Sequence, residues 1–188
     1  MSLKIELGER EQVVAVADRL FYTLGIQAVG IDRVRTASGI SLKKLYSLFP
    51  SKDALLVAVL HHRTGEWDTG IADAAAQART ARDKLLAIYD FLNQWFRQDD
   101  FRGCAFINTF GELGAISPDV ARVARDQKSA FQRYVATLVD EAGGPTSLAP
   151  QLAILAEGAQ TTAAISGTPD AAAHARAAAV VLINAALP

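Results

Sequence analysis

The chain has 188 residues, of which 51% are hydrophobic, and a formal net charge of −1 at pH 7. This length allows one large or two small domains with a sizeable core, and no apolar run approaches the roughly 18 residues of a membrane span. Residues 1–8 lack the basic and then apolar profile of a signal peptide, so we expect a cytoplasmic protein. The single cysteine, Cys104, has no partner for an internal disulfide and fits a reducing compartment.

Positive charge is concentrated toward the N-terminus. Residues 1–63 contain nine Lys or Arg against six Asp or Glu, whereas the remainder contains ten against fourteen. The window 33–52 holds five cationic side chains and no carboxylate. A basic N-terminal part followed by an acidic remainder suggests that the basic part binds a polyanion. Ordinary solvated charge, unevenly distributed, is the alternative explanation.

Apolar residues recur at intervals of three and four along the chain, and two-residue alternation is nearly absent, so the sequence predicts an all-α fold of about nine helices. The first begins near Glu9 and stops at Gly25, a usual C-terminal cap. The second covers residues 31–38 and the third covers 42–48, which Ser41 opens. Two short helices joined by a Gly-Ile turn form a helix-turn-helix.

Cap signals divide the rest of the chain into further helices. Ser51 opens a long helix that reaches about Ala78, and Thr80 with Asp83 opens one that ends near residues 99–100. Its core stripe is Leu85, Ile88, Leu92 and Phe96. A short helix follows Gly103, and later helices start after Ser117, at Leu148 and at Asp170. The pairs Ser117-Pro118 and Thr168-Pro169, a hydroxyl residue followed by proline, mark the first and last of these three starts. We expect the last helix to end near Ala186.

The third helix carries the side chains best suited to meet nucleic acid. Leu42, Leu45 and Phe49 are expected to face inward because of their spacing. Lysines in the first turn oppose the positive end of the helix dipole, and a phosphate or guanine edge beside them relieves that repulsion. A solvated helix surface is the alternative, as is packing for the tyrosine. The candidate DNA-binding residues are Lys43, Lys44, Tyr46 and Ser47 on this helix, Lys52 just after Ser51, and Arg33 and Arg35 on the preceding helix.

The stretch from Ile31 to Leu55 resembles the DNA-binding region of TetR-type transcriptional regulators. The motifs that carry the resemblance are Gly-Ile-Ser at residues 39–41, Leu-Tyr at 45–46 and Phe-Pro-Ser-Lys-Asp-Ala-Leu at 49–55. It covers about residues 11–60, and the rest of the chain matches only in length and helix order. By position, the family's DNA contacts fall on Lys43, Lys44, Tyr46, Ser47 and Lys52.

The resemblance implies a three-helix DNA-binding domain over residues 1–50 and a helical ligand-binding and dimerisation domain over residues 51–188. Repression relieved by a small molecule is the usual activity of such proteins. Two positions depart from the family pattern. Gly30 stands where many members have a capping threonine, and Lys43 stands where a glycine is frequent.

Aromatic and polarizable side chains gather on the middle helices. Many apolar walls with few polar groups are typical of a small-molecule site, although plain core packing is the alternative for each residue. The candidate ligand pocket consists of Trp67, Phe91, Trp95, Cys104, Phe106, Asn108, Phe110, Phe131 and Tyr134.

The C-terminal helices have the composition of an interface. Nine alanines lie between Ala171 and Leu187, with bulkier residues at 180–183. Two such helices from each of two chains can pair as a four-helix bundle. An alanine-rich intramolecular helix is the alternative. The candidate interface residues are Gln160, Ala164, Ala177, Val181 and Asn184.

The sequence predicts a regulator rather than an enzyme. Adjacent His61 and His62 diverge by about 100° on a helix, and no phosphate loop, nucleophile elbow or paired-acid motif occurs. We therefore expect no cofactor and no metal. The expected function is that of a homodimeric, ligand-responsive repressor that binds double-stranded palindromic DNA and leaves it when a small-molecule effector binds, without a membrane partner. The alternative is a helical interaction module whose basic head docks an acidic protein.

Overall fold

A computed structural model describes the backbone of residues 2–187 and the side chains of residues 8–187. All regular structure in this part of the chain is helical, which confirms the all-α prediction. The helices are α1 (Ser2–Leu24), α2 (Ile31–Ser38), α3 (Leu42–Leu48), α4 (Lys52–Ala75), α5 (Ala81–Trp95), α6 (Ala105–Leu113), α7 (Pro118–Glu141), α8 (Leu148–Ser166) and α9 (Asp170–Ala186).

Side-chain caps form at the starts of α3 and α5. The Ser41 hydroxyl accepts from the Lys44 N–H at 3.1 Å, and the Thr80 hydroxyl accepts from the Asp83 N–H at 3.1 Å. Each cap satisfies a backbone donor that has no partner inside its helix. The predicted starts of α3 and α5 are therefore confirmed.

Three predicted helix ends differ from those observed. Helix α1 begins at Ser2 rather than near Glu9, because a single glycine at position 8 does not interrupt a helix. Helices α4 and α5 stop earlier than predicted, at Ala75 and Trp95. At both ends the backbone hydrogen bonds tighten to three-residue spacing, as between Gln98 N–H and the Trp95 carbonyl at 3.0 Å, so the α-helix gives way to a turn.

The first of two compact units comprises residues 1–65 and 105–125. Its core includes Leu45 and Phe49 of the helix-turn-helix segment, which are almost completely buried as expected. The matching expectation for Leu42 is wrong, since 43% of its surface is exposed. Phe49 has already left the helix with an extended backbone, so the buried side of the short α3 is set by Leu45 alone.

The second unit comprises residues 66–104 and 126–188. The predicted stripe on α5 is confirmed, since all four of its residues are buried. Buried alanines along α8 and α9, among them Ala156 and Ala179, let helix backbones approach closely. The Tyr89 hydroxyl donates to the Leu152 carbonyl at 2.8 Å, and burial raises the pKa of Tyr89 above its ordinary value.

The units do not coincide with the predicted domains. Helix α6 groups with the N-terminal helices, and α4 and α7 each contribute residues to both units. The functional boundary between residues 50 and 51 stays a prediction. Within the described residues, no helix is both long and apolar enough to cross a membrane.

Candidate nucleic-acid interface

A left-handed glycine joins the two short helices of the helix-turn-helix. Gly39 has φ of 71°, and its N–H donates to the carbonyls of Arg35 and Thr36 at the end of α2. This conformation suits glycine because it has no Cβ. The chain then passes through Ile40 to the Ser41 cap, so the direction of α3 is fixed within three residues of the end of α2.

The outward side of α3 presents the predicted DNA-binding side chains, and we call it the reading face. Lys43, Tyr46 and Ser47 are exposed, with 46% of the tyrosine surface accessible. The Ser47 hydroxyl donates to the Lys44 carbonyl at 2.7 Å and retains its acceptor capacity. Lys44 is partly exposed, and its Nζ lies 2.9 Å from Oε2 of Glu9 on α1. The structure therefore brings four predicted contacts together on one short helix.

The two predicted arginines lie on α2. Arg33 is exposed, whereas Arg35 is half-buried and donates from Nε to the Asp32 carboxylate at 3.2 Å. Gly30 occupies the N-cap position of this helix without a side-chain hydrogen bond. The expected loss of a capping side chain at Gly30 is thus confirmed.

Lys52 lies at the first residue of α4 and turns toward the interior of the first unit. Its ammonium donates to the Ile26 carbonyl at 2.5 Å and lies 5.6 Å from the centre of the Phe21 ring. Burial lowers the pKa of Lys52 from its ordinary value, and the carboxylates of Glu112 and Asp53 partly oppose that shift. An ammonium has three donors, so this bond leaves room for a phosphate contact.

Short helices joined by a glycine turn, with lysines, a tyrosine and a serine on the exposed side of the second helix, define a helix-turn-helix DNA-binding protein. Residues 13–59 match the family of bacterial regulatory proteins described as the tetR family. This match covers the helix-turn-helix, so the chain carries the DNA-binding segment of TetR-type transcriptional regulators, which are DNA-binding proteins rather than enzymes.

Similar proteins match more of the chain. The Escherichia coli HTH-type transcriptional regulator YjdC is 26% identical over 153 residues, which is 80% of each chain. The TetR-family regulator SCO4454 of Streptomyces coelicolor has a TM-score of 0.86 at 24% identity over 94% of each chain. A TetR regulator of Chloroflexus aurantiacus has a TM-score of 0.86 at 24% identity and covers 98% of this chain and 100% of its own. Both solved structures share the fold.

The predicted pocket residues of the second unit form an aromatic cluster around Trp67. Its ring centre lies 5.4 Å from those of Phe91 and Phe131 and 5.9 Å from that of Trp95, each in an edge-on arrangement. Tyr134 packs against the same core, and burial raises its pKa, with a smaller contribution from Glu141. The predicted pocket at these residues stays a prediction.

Cys104, another predicted pocket residue, is buried in the second unit. It accepts a hydrogen bond from the Lys128 ammonium at 3.4 Å, and that ammonium lies 3.8 Å from a Glu157 carboxylate oxygen. The buried cysteine therefore lies next to an ion pair in an otherwise apolar region. No feature of the sequence indicated this arrangement.

The remaining pocket candidates belong to the first unit. Phe106 is buried, Asn108 is exposed, and the exposed Phe110 ring lies 5.8 Å from the Arg125 guanidinium carbon. Asn108 lines a cavity of about 140 Å³ between α1, α4 and α6. The sequence did not predict Asp18 at this cavity, and it did not predict the partners of Glu112, because the partners of both carboxylates lie far away along the chain.

The C-terminal helices expose large apolar side chains. Ile154 and Ile165 on α8 and Val181 on α9 are 68%, 82% and 66% exposed. Among the predicted interface residues, Ala164, Ala177, Val181 and Asn184 are also exposed, and Asn184 accepts from Arg82. Gln160 is 1% exposed and donates to the Ala156 carbonyl, so it lies in the interior. We call the exposed residues Ile154, Ala164, Ile165, Ala177, Val181 and Asn184 the α8–α9 face.

Proposed function

We propose that this regulator is a cytoplasmic homodimeric repressor that binds a palindromic operator and leaves it when a small-molecule effector binds. The observation that carries the proposal is the reading face, which exposes a lysine, a tyrosine and a serine from a basic segment. Lysine and hydroxyl groups of this kind donate to guanine edges and phosphates in a major groove. The residues proposed to contact DNA are Lys43, Lys44, Tyr46, Ser47, Lys52, Arg33 and Arg35.

The homodimer is supported by the α8–α9 face. Exposed Ile154, Ile165 and Val181 are costly in water, and burial against a second copy removes that apolar surface. In α8, Ile154 and Ile165 lie eleven residues apart, which places them on one side of a helix with Gly158 and Thr161 between them. Two-fold pairing would present two recognition helices to operator sites roughly 34–36 Å apart.

Effector control is supported by the aromatic cluster around Trp67. Trp67, Phe91 and Trp95 are only partly buried, and such apolar aromatic surface suits a planar or hydrophobic molecule. Such a ligand releases the operator only to the extent that it prefers the DNA-free conformation, typically by about 1 to 3 kcal/mol.

Selection from randomised duplexes tests the proposal directly. Purified protein should enrich an inverted repeat, and its affinity should fall steeply with salt because bound phosphates release counterions. A subsequent thermal-shift screen should find a compound that stabilises the free protein and weakens operator binding. Failure to enrich any sequence would reject operator recognition and favour docking of the basic segment on an acidic protein.

A further inference from the structure

We propose that Glu112 of α6 is a positioning residue for DNA recognition. It holds the turn between α1 and α2 in place and thereby orients the reading face. The inference rests on the proposed function, because it concerns how the reading face is oriented. In this proposal Glu112 acts through the protein backbone and makes no contact with DNA. Its role depends on hydrogen bonds to a segment that lies more than eighty residues earlier in the sequence.

The Glu112 carboxylate binds two consecutive backbone donors. The Ile26 N–H donates to both carboxylate oxygens at 3.2 and 3.0 Å, and the Gln27 N–H donates to Oε2 at 3.0 Å. The Gln27 side chain in turn donates to the Glu112 carbonyl at 3.4 Å. Hydrogen bonds to an ionised carboxylate are about twice as strong as neutral ones.

The backbone conformation at the turn creates this binding place. Gly25 has φ of 85°, and it directly precedes the two donors. A left-handed residue next to right-handed ones turns successive N–H groups toward a common point, which is the geometry of an anion-binding nest. Here the anion is supplied by the chain itself.

A second contact holds the same turn from its other side. The Ile26 carbonyl accepts from the Lys52 ammonium at the start of α4, while its N–H is held by Glu112 of α6. The adjacent residue of α4, Asp53, accepts from the Ser117 hydroxyl at 2.8 Å. The turn, the start of α4 and the segment from α6 to α7 therefore form one hydrogen-bonded group within the first unit.

The start of α2 depends on this turn more than the start of a helix with a side-chain cap would. Its N-cap is Gly30, which offers no side-chain hydrogen bond. Buried Ile26 and Val29 and the Glu112 contacts are then what fix the chain as it enters α2. Since only three residues separate α2 from α3, a shift at residues 26–27 is carried to the reading face.

The Glu112 contact has space to open. A cavity of about 140 Å³ lies beside it, lined by Glu112, Thr109, Tyr22 and Gly25 among others. A carboxylate wedged between close-packed side chains could not move, whereas this one has room to leave the turn. Loss of the contact should therefore loosen the turn without collapsing the unit.

Glu112→Gln and Glu112→Ala test the inference, with Asp119→Asn as the matched control. The control removes one carboxylate charge from the same unit, where Asp119 pairs with nearby Arg122 at 3.2 Å. Hydrogen exchange followed by NMR should show the Ile26 and Gln27 amides exchanging about tenfold faster in both Glu112 variants and unchanged in the control. Circular dichroism should show intact helicity in all three proteins.

DNA binding supplies the second measurement. The ratio of affinities for the selected operator and a random duplex should fall about tenfold in Glu112→Ala, less in Glu112→Gln, and not in Asp119→Asn. Unchanged amide exchange, or a ratio equal to that of the control, would overturn the inference while leaving the proposed function intact. If the wild-type chain itself discriminates no sequence, the proposed function fails and the inference fails with it.

Discussion

The Lys44 ammonium on the recognition helix α3 lies 2.9 Å from the carboxylate of Glu9 on α1. Both side chains are partly exposed, so the pair contributes little stability, about 0 to 1 kcal/mol. Its larger effect is on charge, because Glu9 partly neutralises Lys44 before DNA arrives. Lys43 is exposed and makes no ion pair within the described part of the chain. Lys43 can therefore donate to a base directly, whereas Lys44 must first leave its ion pair with Glu9.

Alanine substitution should separate the roles of the two lysines. Lys43→Ala should reduce discrimination between operator and random duplex by about 1 to 3 kcal/mol, the usual value of a good base contact. Lys44→Ala should weaken both duplexes similarly, and the double variant should lose discrimination while its helicity and dimer mass stay intact. Fluorescence anisotropy with competitor DNA measures both affinities. Discrimination preserved in the double variant would show that the reading face has been placed wrongly.

Lys52→Ala should affect both DNA binding and stability. The slope of log affinity against log salt should fall by about one if Lys52 neutralises one phosphate. The melting temperature should also fall, because the Ile26 carbonyl loses its donor. Lys84→Ala on α5 is the charge-matched control and should leave the slope unchanged. A lower melting temperature with a wild-type slope would assign Lys52 a purely internal role.

Two glycines of α4 should respond oppositely to alanine. A Cβ at Gly70 would overlap Cε2 of Phe91, so Gly70→Ala must shift that ring within the aromatic cluster. We expect a loss of about 1 to 3 kcal/mol in the free energy of unfolding. A Cβ at Gly65 meets nothing within 4 Å, and Gly65→Ala should stabilise the protein by up to about 1 kcal/mol. Urea denaturation compares them, and equal effects would contradict the observed ring packing.

A charge on the α8–α9 face should prevent self-association. Val181→Glu places a carboxylate where the proposed dimer buries an exposed valine, and desolvating an unpaired charge is costly. We expect a monomer by sedimentation equilibrium, with weaker operator binding as a result. Ala136→Glu adds the same charge at an exposed position of α7 and should leave the dimer intact. A dimeric Val181→Glu protein would locate the interface elsewhere.

Local signals in the sequence predicted the fold well. Ser41 and Thr80 cap helices as their side chains suggested, because a cap involves only residues three positions apart. The core stripe of α5 followed from spacing alone, and the motif from Phe49 to Leu55 indicated the family. These features depend on neighbours in sequence, which the chain itself displays.

Contacts between distant segments could not be predicted in the same way. The hydrogen bonds of Glu112 to Ile26 and Gln27 join residues that are 86 and 85 positions apart in the sequence. The proposed pocket residues were grouped by composition, and the structure assigns Phe106 and Asn108 to a different unit from Trp67. Gln160 was chosen by position on a helix that proved to bury it.

The exposed Leu42 has a consequence for the operator. It lies one turn before Tyr46 on α3, and these residues share a side of the helix. In a major groove, the apolar group that such an aliphatic side chain can contact is the C5-methyl group of thymine. Once the protein is seated on its half-sites, Leu42 would favour thymine over cytosine at the facing position through shape and apolar contact, with no hydrogen bond involved.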